Sequence, residues 1–211
     1  MNNLRKFATE AEYSAATLNY PAVSWVVSGD TLHYDLSGDT PTSVPAVKVA
    51  FTTDSCVDGY INLVTDGEML DLINAITVNG NDVELDSSSI SYTLNTNTDY
   101  LIEYFLKDNA TDMGNYFNLT TPMGCASSKI EYDIYYPPQV TAISFAQYYV
   151  GSLLVDTDTP PTLYFDSSGG EPTYIYVPDS AVATYKADAK WSYMGNSIRP
   201  LSEYEGNIPL S

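Results

Sequence analysis

Residues 175–191 read Ile-Tyr-Val-Pro-Asp-Ser-Ala-Val-Ala-Thr-Tyr-Lys-Ala-Asp-Ala-Lys-Trp and decide how the fold of this chain is closed. The β-branched and aromatic residues at the start predict a strand, and Pro178 follows where a helix accepts proline, in its first turn. Asp179 or Ser180 can cap that helix by accepting hydrogen bonds from its first amides. The pattern predicts a helix over 180–189 that closes the open end of a sheet. The side chains expected to pack on that sheet are Val182, Tyr185, Ala189 and Trp191.

Segments of similar composition recur upstream of this helix at intervals of about 20–24 residues. Such a period is typical of solenoid proteins, in which each repeat contacts only its neighbours. Two repeats and a closing helix cannot bury a core alone, so residues 109–211 are expected to form a repeat-like domain that leans on the chain before it. The stretch from Ser197 onward is expected to leave this domain as a tail. The recurring segments are 112–117, Cys125, 129–134, 137–143, 145–146, 152–155, 159–163 and 175–178.

These segments resemble the BspA-like leucine-rich repeats, whose units contain a V-T-x-I-G-x-Y-A-F start, a turn with a cysteine and an I-P step. The residues that match are 111–117 and 140–146 at the starts, Cys125 at the turn, Tyr136-Pro137 at the step, and 159–163 with 175–191 at the terminal cap. The resemblance implies a short degenerate leucine-rich-repeat-like solenoid with a C-terminal capping helix. Tyrosine replaces many of the leucines and glycines of the family pattern, which is a departure from a regular horseshoe.

Short apolar strands separated by turn residues fill residues 47–108, after a proline-rich linker at 37–46. Turn signals every 8–12 residues are typical of a small antiparallel β-sandwich. One helical turn is expected at 69–74, and Asn79-Gly80 predicts a tight turn. The predicted strands are 47–51, 60–64, 76–78, 83–85, 91–94 and 100–106. The fold class expected for the chain is therefore mainly β.

Residues 1–36 form an N-terminal anchor segment of their own character. A capping box at 9–12 predicts a helix over 10–17, and two apolar runs at 23–27 and 31–34 predict a β-hairpin. A helix and a hairpin are too small to bury a core, so this segment is expected to dock onto something larger. The residues expected to dock are Phe7, Tyr13, Tyr20, Trp25 and Tyr34.

Two further resemblances extend over the first half of the chain. The anchor segment resembles the N-terminal segment of fibre and head-decorating proteins of tailed phages that infect gut Bacteroidales, the crAss-like phages among them. Residues 76–106 resemble the β-rich unit that precedes BspA-like repeats in virion proteins of the same phages. These resemblances imply a virion protein with an attachment segment at its N-terminus.

Composition limits the function classes. The chain has 27 acidic residues against 8 basic ones, a net charge of −19, which disfavours binding to nucleic acid and to anionic membranes. With 44% hydrophobic residues and 19 tyrosines it is expected to fold rather than to remain disordered. The N-terminus lacks the apolar core of a signal peptide, so Cys56 and Cys125 are expected to be reduced, with a disulfide as the alternative.

Candidate chemical sites are few. Ten acidic residues and no basic one lie between Lys48 and Lys107, and there Asp82, Glu84 and Asp86 could share one strand face as a cation site. We favour a solvated face, because no calcium motif is present. The single histidine, His33, has no nucleophile motif near it. Three loop aspartates could contribute to a cation site or act as an acid pair, but they serve equally well as turn formers. They are Asp156, Asp158 and Asp166. No catalytic, metal or cofactor residue is therefore assigned.

We interpret the chain as a non-enzymatic structural virion protein, made in the host cytoplasm. It would be an accessory head fibre or capsid decoration protein of a tailed bacteriophage that docks through its N-terminus onto the capsid or another head fibre protein. A dimer or trimer is expected, because neither the anchor nor a two-unit solenoid covers its own apolar faces. The alternative is a tail-located or bacterial adhesin that binds a surface glycan. Surface recognition would then fall to Tyr148, Tyr149 and Tyr174, since tyrosine is enriched at recognition surfaces.

Overall fold

The computed structural model describes residues 5–7, 24–28, 31–35, 45–114, 117, 120–126, 130–144, 149–164 and 171–210. The chain divides into two compact units, Met1–Val44 and Pro45–Ser211. The division falls at the end of the proline-rich stretch 37–46. The described residues are mainly β, which confirms the predicted class.

The N-terminal unit contains one three-stranded sheet. Its strands are β1 (Arg5–Phe7), β2 (Ser24–Ser28) and β3 (Thr31–Asp35). β2 and β3 pair antiparallel with Trp25 opposite Tyr34, while β1 pairs parallel with β2. The hairpin is therefore present, and the helix predicted over 10–17 lies outside the described residues.

The larger unit is built around an eight-stranded sheet, and one half of that sheet is antiparallel. This half consists of β4 (Ala46–Thr52), β6 (Ile73–Val78), β7 (Asn81–Val83) and β9 (Asp99–Leu106), in the order β4-β9-β6-β7. Asn79 and Gly80 have φ angles of 50° and 75°, as a two-residue turn between β6 and β7 requires. Alternate side chains of β9 are buried, so the predicted period-2 pattern faces a core.

A second, three-stranded antiparallel sheet shares that core. Its strands are β5 (Cys56–Val64), β8 (Ile90–Thr93) and β10 (Met123–Cys125), in the order β10-β5-β8. The one-turn helix α1 (Gly67–Asp71) follows β5, and the Asp66 carboxylate accepts a hydrogen bond of 2.8 Å from the Met69 amide. Buried residues of both sheets belong to one hydrophobic cluster.

A disulfide joins Cys56 to Cys125, which corrects the expectation of two reduced cysteines. The two residues are partners across the antiparallel pair β5–β10, so strand register brings them together over 69 positions of sequence. The bond fastens a strand of the second half of the chain to the sheet formed by the first half.

The other half of the large sheet is parallel. It consists of β11 (Glu131–Tyr136), β13 (Tyr149–Val155), β15 (Tyr174–Val177) and β16 (Ile198–Pro200), and β11 joins it to the antiparallel half by pairing with β4. Successive strands pair Ser152 with Tyr174 and Ile175 with Ile198. Regions 47–108 and 109–211 thus share one continuous sheet.

A second parallel ladder lies on the connections between those strands. β12 (Ala142–Ile143) pairs with β14 (Thr162–Leu163), and Asp112 forms a bridge to Ala142. The Thr141 amide donates a 2.8 Å hydrogen bond to the Thr111 carbonyl oxygen. The two predicted repeat starts therefore lie side by side.

The helix predicted over 180–189, which closes the end of the sheet, is shorter than expected. A 3-10 turn (Asp179–Ala181) leads into α2 (Val182–Ala187), and a second 3-10 turn (Ser192–Met194) precedes β16. The helix ends before Ala189, which is exposed, so the expectation for that residue was wrong. Neither Asp179 nor Ser180 caps the helix, because Asp179 accepts hydrogen bonds from Ser202 and Ser180 donates to Asp158.

The aromatic core under this helix is as predicted. Tyr185 and Trp191 are fully buried and pack edge to face, with ring centroids 5.0 Å apart. The Tyr185 hydroxyl donates to the Thr157 carbonyl at 2.9 Å, and the Trp191 indole N–H donates to the Pro161 carbonyl at 3.0 Å. Two large side chains thus close the end of the core with their polar atoms paired.

The C-terminal segment is not a free tail, which corrects that expectation. Ile198–Pro200 form β16, because the buried Ile198 pairs with the buried Ile175 of β15. After a 3-10 turn (Leu201–Glu203) the chain crosses the sheet face opposite the core. There the Tyr204 hydroxyl donates to Asp133 on β11 at 2.7 Å, and the Lys48 ammonium donates to the Pro209 carbonyl at 3.0 Å.

Candidate functional site

Aromatic and cationic side chains meet on the outer face of β15 and β16. Tyr174 and Tyr176 alternate with buried residues of β15, and Arg199 is the cross-strand partner of Tyr176. The C-terminal segment adds Tyr204. These four residues, Tyr174, Tyr176, Arg199 and Tyr204, are called the tyrosine–arginine platform below.

Ring contacts connect the members of the platform. The centroids of Tyr174 and Tyr176 are 6.2 Å apart, and the ring of Tyr204 stands edge-on to Tyr176 at 5.3 Å. The guanidinium carbon of Arg199 lies 5.9 Å from the centroid of Tyr174. Tyr174 is the outermost member, with 44% of its surface exposed.

Hydrogen bonds hold the inner side of the platform in place. The Asp133 carboxylate accepts from the Tyr204 hydroxyl at 2.7 Å and from the Ser152 amide at 3.1 Å. The Tyr204 hydroxyl also accepts from the Ile208 amide at 3.1 Å. The Arg199 guanidinium donates through Nη1 to the carbonyls of Asn196 at 2.7 Å and Ile198 at 3.1 Å. These hydrogen bonds hold the C-terminal segment against strands β11 and β13.

The phenols of Tyr176 and Tyr204 remain protonated at neutral pH. Burial, and then the charges of neighbours including Tyr174 and Asp133, raise the pKa of Tyr176 above its usual value. Burial and the hydrogen bond to Asp133 raise the pKa of Tyr204. Their hydroxyl groups can therefore donate hydrogen bonds over the physiological range.

The turns that follow β11, β13 and β15 form a groove of about 670 Å³. Its walls include Pro138, Pro160 and Pro161, with Asp156 and Asp158 at the polar side. Asp156 accepts from the Tyr135 hydroxyl at 2.9 Å, and Asp158 accepts from the Ser180 hydroxyl at 3.0 Å. Both aspartates thus organise the turns around them.

An apolar patch lies on the three-stranded sheet, beside the disulfide. Val57, Tyr60 and Met123 are 75%, 41% and 52% exposed, and Tyr60 and Met123 are cross-strand partners. Gly124, with φ of 74°, lets β10 approach so closely that a Cβ atom there would lie 2.6 Å from the Val57 carbonyl oxygen. Exposed apolar side chains on neighbouring strands, such as Tyr60 and Met123, are typical of a contact surface for another protein.

The structure brings only some of the sequence-predicted residues to a site. Tyr174 belongs to the platform. The side chains of Phe7, Tyr13, Tyr20, Trp25 and Tyr34, and those of His33, Tyr148, Tyr149 and Asp166, lie outside the described residues. Asp82, Glu84 and Asp86 are all exposed, and the described part of the chain holds no cluster of three or more metal-ligating side chains.

Sequence reasoning missed Arg199 and Tyr204, because the stretch after Ser197 was expected to be a tail. Ile198 lies 23 positions after its partner Ile175, a spacing within the range of the predicted repeat. That spacing was the signal that could have identified β16 and, with it, the position of Arg199.

No helix in the part of the chain that the structure describes is long and apolar enough to cross a membrane.

Comparison of the chain with protein-family models, with curated proteins and with solved structures found no match.

Proposed function

We propose that this chain is an accessory structural protein of a tailed-phage virion, a head fibre or capsid decoration protein. The observation that carries the proposal is the division into a small N-terminal unit, Met1–Val44, and a large body, Pro45–Ser211. An attachment unit followed by a displayed body is the organisation that this function needs. The resemblance of the first 36 residues to phage attachment segments supports the same assignment.

The body would be the displayed part. We interpret its two parallel ladders, closed by α2, as a short degenerate repeat array that continues the antiparallel sheets. The apolar patch around Tyr60 offers this body a second protein contact. Because its neighbour Asp58 is exposed and residues 49–106 contain no basic residue, the partner there would carry a basic rim.

The proposal is tested on particles of a phage whose genome encodes the chain. A double variant, Trp25→Ala with Tyr34→Ala, removes two of the aromatic side chains expected to dock. We expect this variant to be lost from purified virions in mass spectrometry and immunogold microscopy, while Tyr193→Ala is retained. The proposal is wrong if the unmodified chain does not co-purify with particles.

The alternative function, an adhesin that binds a surface glycan, is favoured by the exposed ring of Tyr174. Tyr174 belongs to the platform, and a glycan could bind there wherever the protein is attached.

A further inference from the structure

We propose that the tyrosine–arginine platform is a binding site for neutral polysaccharide. The inference holds for a protein on a virion and equally for one on a cell surface.

Tyr174, the outermost member of the platform, presents an exposed aromatic ring. A pyranose ring has a face of C–H groups, and such a face packs on the flat side of an aromatic ring. Tyr174 presents its ring at the outer face of β15 with 44% exposure, and Tyr176 extends the aromatic surface inward. Tyrosine provides this contact area at low cost in conformational entropy.

Hydrogen-bonding groups lie beside the ring of Tyr174. Arg199 is held by two carbonyl oxygens through Nη1, and its Nη2 and Nε donors have no partner among the described residues. A planar guanidinium edge matches two neighbouring oxygens, such as vicinal hydroxyl groups of a sugar. Glu203, in the turn next to Tyr204, is exposed and adds a carboxylate acceptor near the platform in sequence.

The platform is preorganised by contacts within the protein. Tyr204 braces Tyr176 edge-on and is itself fixed by the 2.7 Å hydrogen bond to Asp133. The groups that would meet a ligand are therefore placed before binding, which lowers the entropy cost of association.

Charge selects the ligand class. The chain has a net charge of −19, and the charges that act on Tyr176 include the carboxylates of Asp133 and Glu203 beside that of Arg199. An anionic polysaccharide or a nucleic acid would approach against this field. Uncharged hexose chains avoid that repulsion and use the aromatic and hydroxyl-binding groups.

The test measures binding of the full chain to named polysaccharides. Affinity electrophoresis uses gels that contain mannan, dextran, galactan or β-1,3-glucan, with alginate and polygalacturonate as anionic counterparts, and calorimetry then measures the affinity for the retarding polymer. We expect at least one neutral polymer to retard the protein and neither anionic polymer to do so.

Variants assign the binding to the platform. Tyr174→Ala is expected to weaken binding about tenfold or more, whereas Tyr174→Phe, which keeps the ring, retains most of it. Arg199→Lys keeps the charge but removes the planar edge, and we expect it to weaken binding as well. Tyr60→Ala removes an equally exposed tyrosine from the three-stranded sheet and serves as the matched control.

Three outcomes overturn the inference: no neutral polymer binds, an anionic polymer binds more tightly, or Tyr60→Ala lowers the affinity as much as Tyr174→Ala. Circular dichroism of each variant shows that a loss of binding is not a loss of fold.

Discussion

The two halves of the eight-stranded sheet are built from different sequence patterns. In the antiparallel half, β4 and β9 pair residue by residue from Ala46 opposite Phe105 to Thr52 opposite Asp99. In the parallel half, each strand pairs with one about 20 residues away, and the connections form a ladder of their own. In the first half a tight turn joins β6 to β7, but β4 pairs with a strand far along the chain, whereas a sequence period of about 20 residues relates the paired strands of the second half.

A single seam joins the two halves. β11 pairs antiparallel with β4, which places Ile134 opposite Val49, and both side chains are buried in one hydrophobic cluster. Because the seam is an uninterrupted part of the sheet, we expect both halves to unfold in one cooperative transition.

The largest expected effect comes from the far end of the parallel half. Trp191→Ala removes a fully buried side chain, its hydrogen bond to the Pro161 carbonyl and its edge contact with Tyr185. Replacement of a buried tryptophan by alanine lowers the free energy of unfolding by about 3–5 kcal/mol. Urea denaturation followed by far-UV circular dichroism measures the change.

The same variant tests the seam. If the halves are one cooperative unit, hydrogen exchange will rise in β4 and β9 as well as in β13 and β15. Exchange that rises in the parallel half alone would show two independent units. Tyr193→Ala, at a half-exposed position in the same region, is the control and should change the unfolding midpoint little.

The next effect concerns the antiparallel side, where the disulfide closes a loop of 69 residues. Replacing Cys56 and Cys125 by alanine is expected to cost about 2–4 kcal/mol, because the unfolded chain gains freedom. Reduction of the unmodified protein should lower its urea midpoint similarly. Thiol titration of the unfolded, unreduced chain should detect no free thiol, whereas two thiols would contradict the bond.

The strands of the antiparallel half could be predicted from the sequence, but their partners could not. Alternation at 100–106 identifies a buried face, and Asn79-Gly80 identifies a turn, because both signals are local. Alternation does not say which strand lies alongside, so the separation of β5 into a second sheet was not predictable. The disulfide was missed for the same reason, since only the β5–β10 register places Cys125 opposite Cys56.

The candidate site was predictable in part. Tyr174 could be named from the abundance of tyrosine in the second half, but its neighbours depend on β16. Ile198-Arg199-Pro200 is too short to predict a strand by alternation, and only its spacing from Ile175 points to β16. Tyr204 reaches the platform because the C-terminal segment folds back across the sheet. Long-range placement by parallel pairing leaves little local trace in a sequence.

The smallest effect is a dependence on pH at the closed end of the parallel half. Hydrogen bonds from the Ser202 hydroxyl, and then from the Ser202 amide, lower the pKa of Asp179 below its ordinary value of 3.8. A carboxyl group with a lowered pKa stabilises the folded state above 3.8, and that contribution is lost as the pH falls through the folded-state value. Asp179→Asn should therefore lower the urea midpoint slightly at neutral pH and not at all in strong acid. Asp82→Asn makes the same change of charge on the exposed edge strand β7, without those hydrogen bonds. If Asp179→Asn and Asp82→Asn change the urea midpoint by the same amount at each pH, the effect arises from net charge. The hydrogen bonds from Ser202 to Asp179 would then make no separate contribution to the stability of the parallel half.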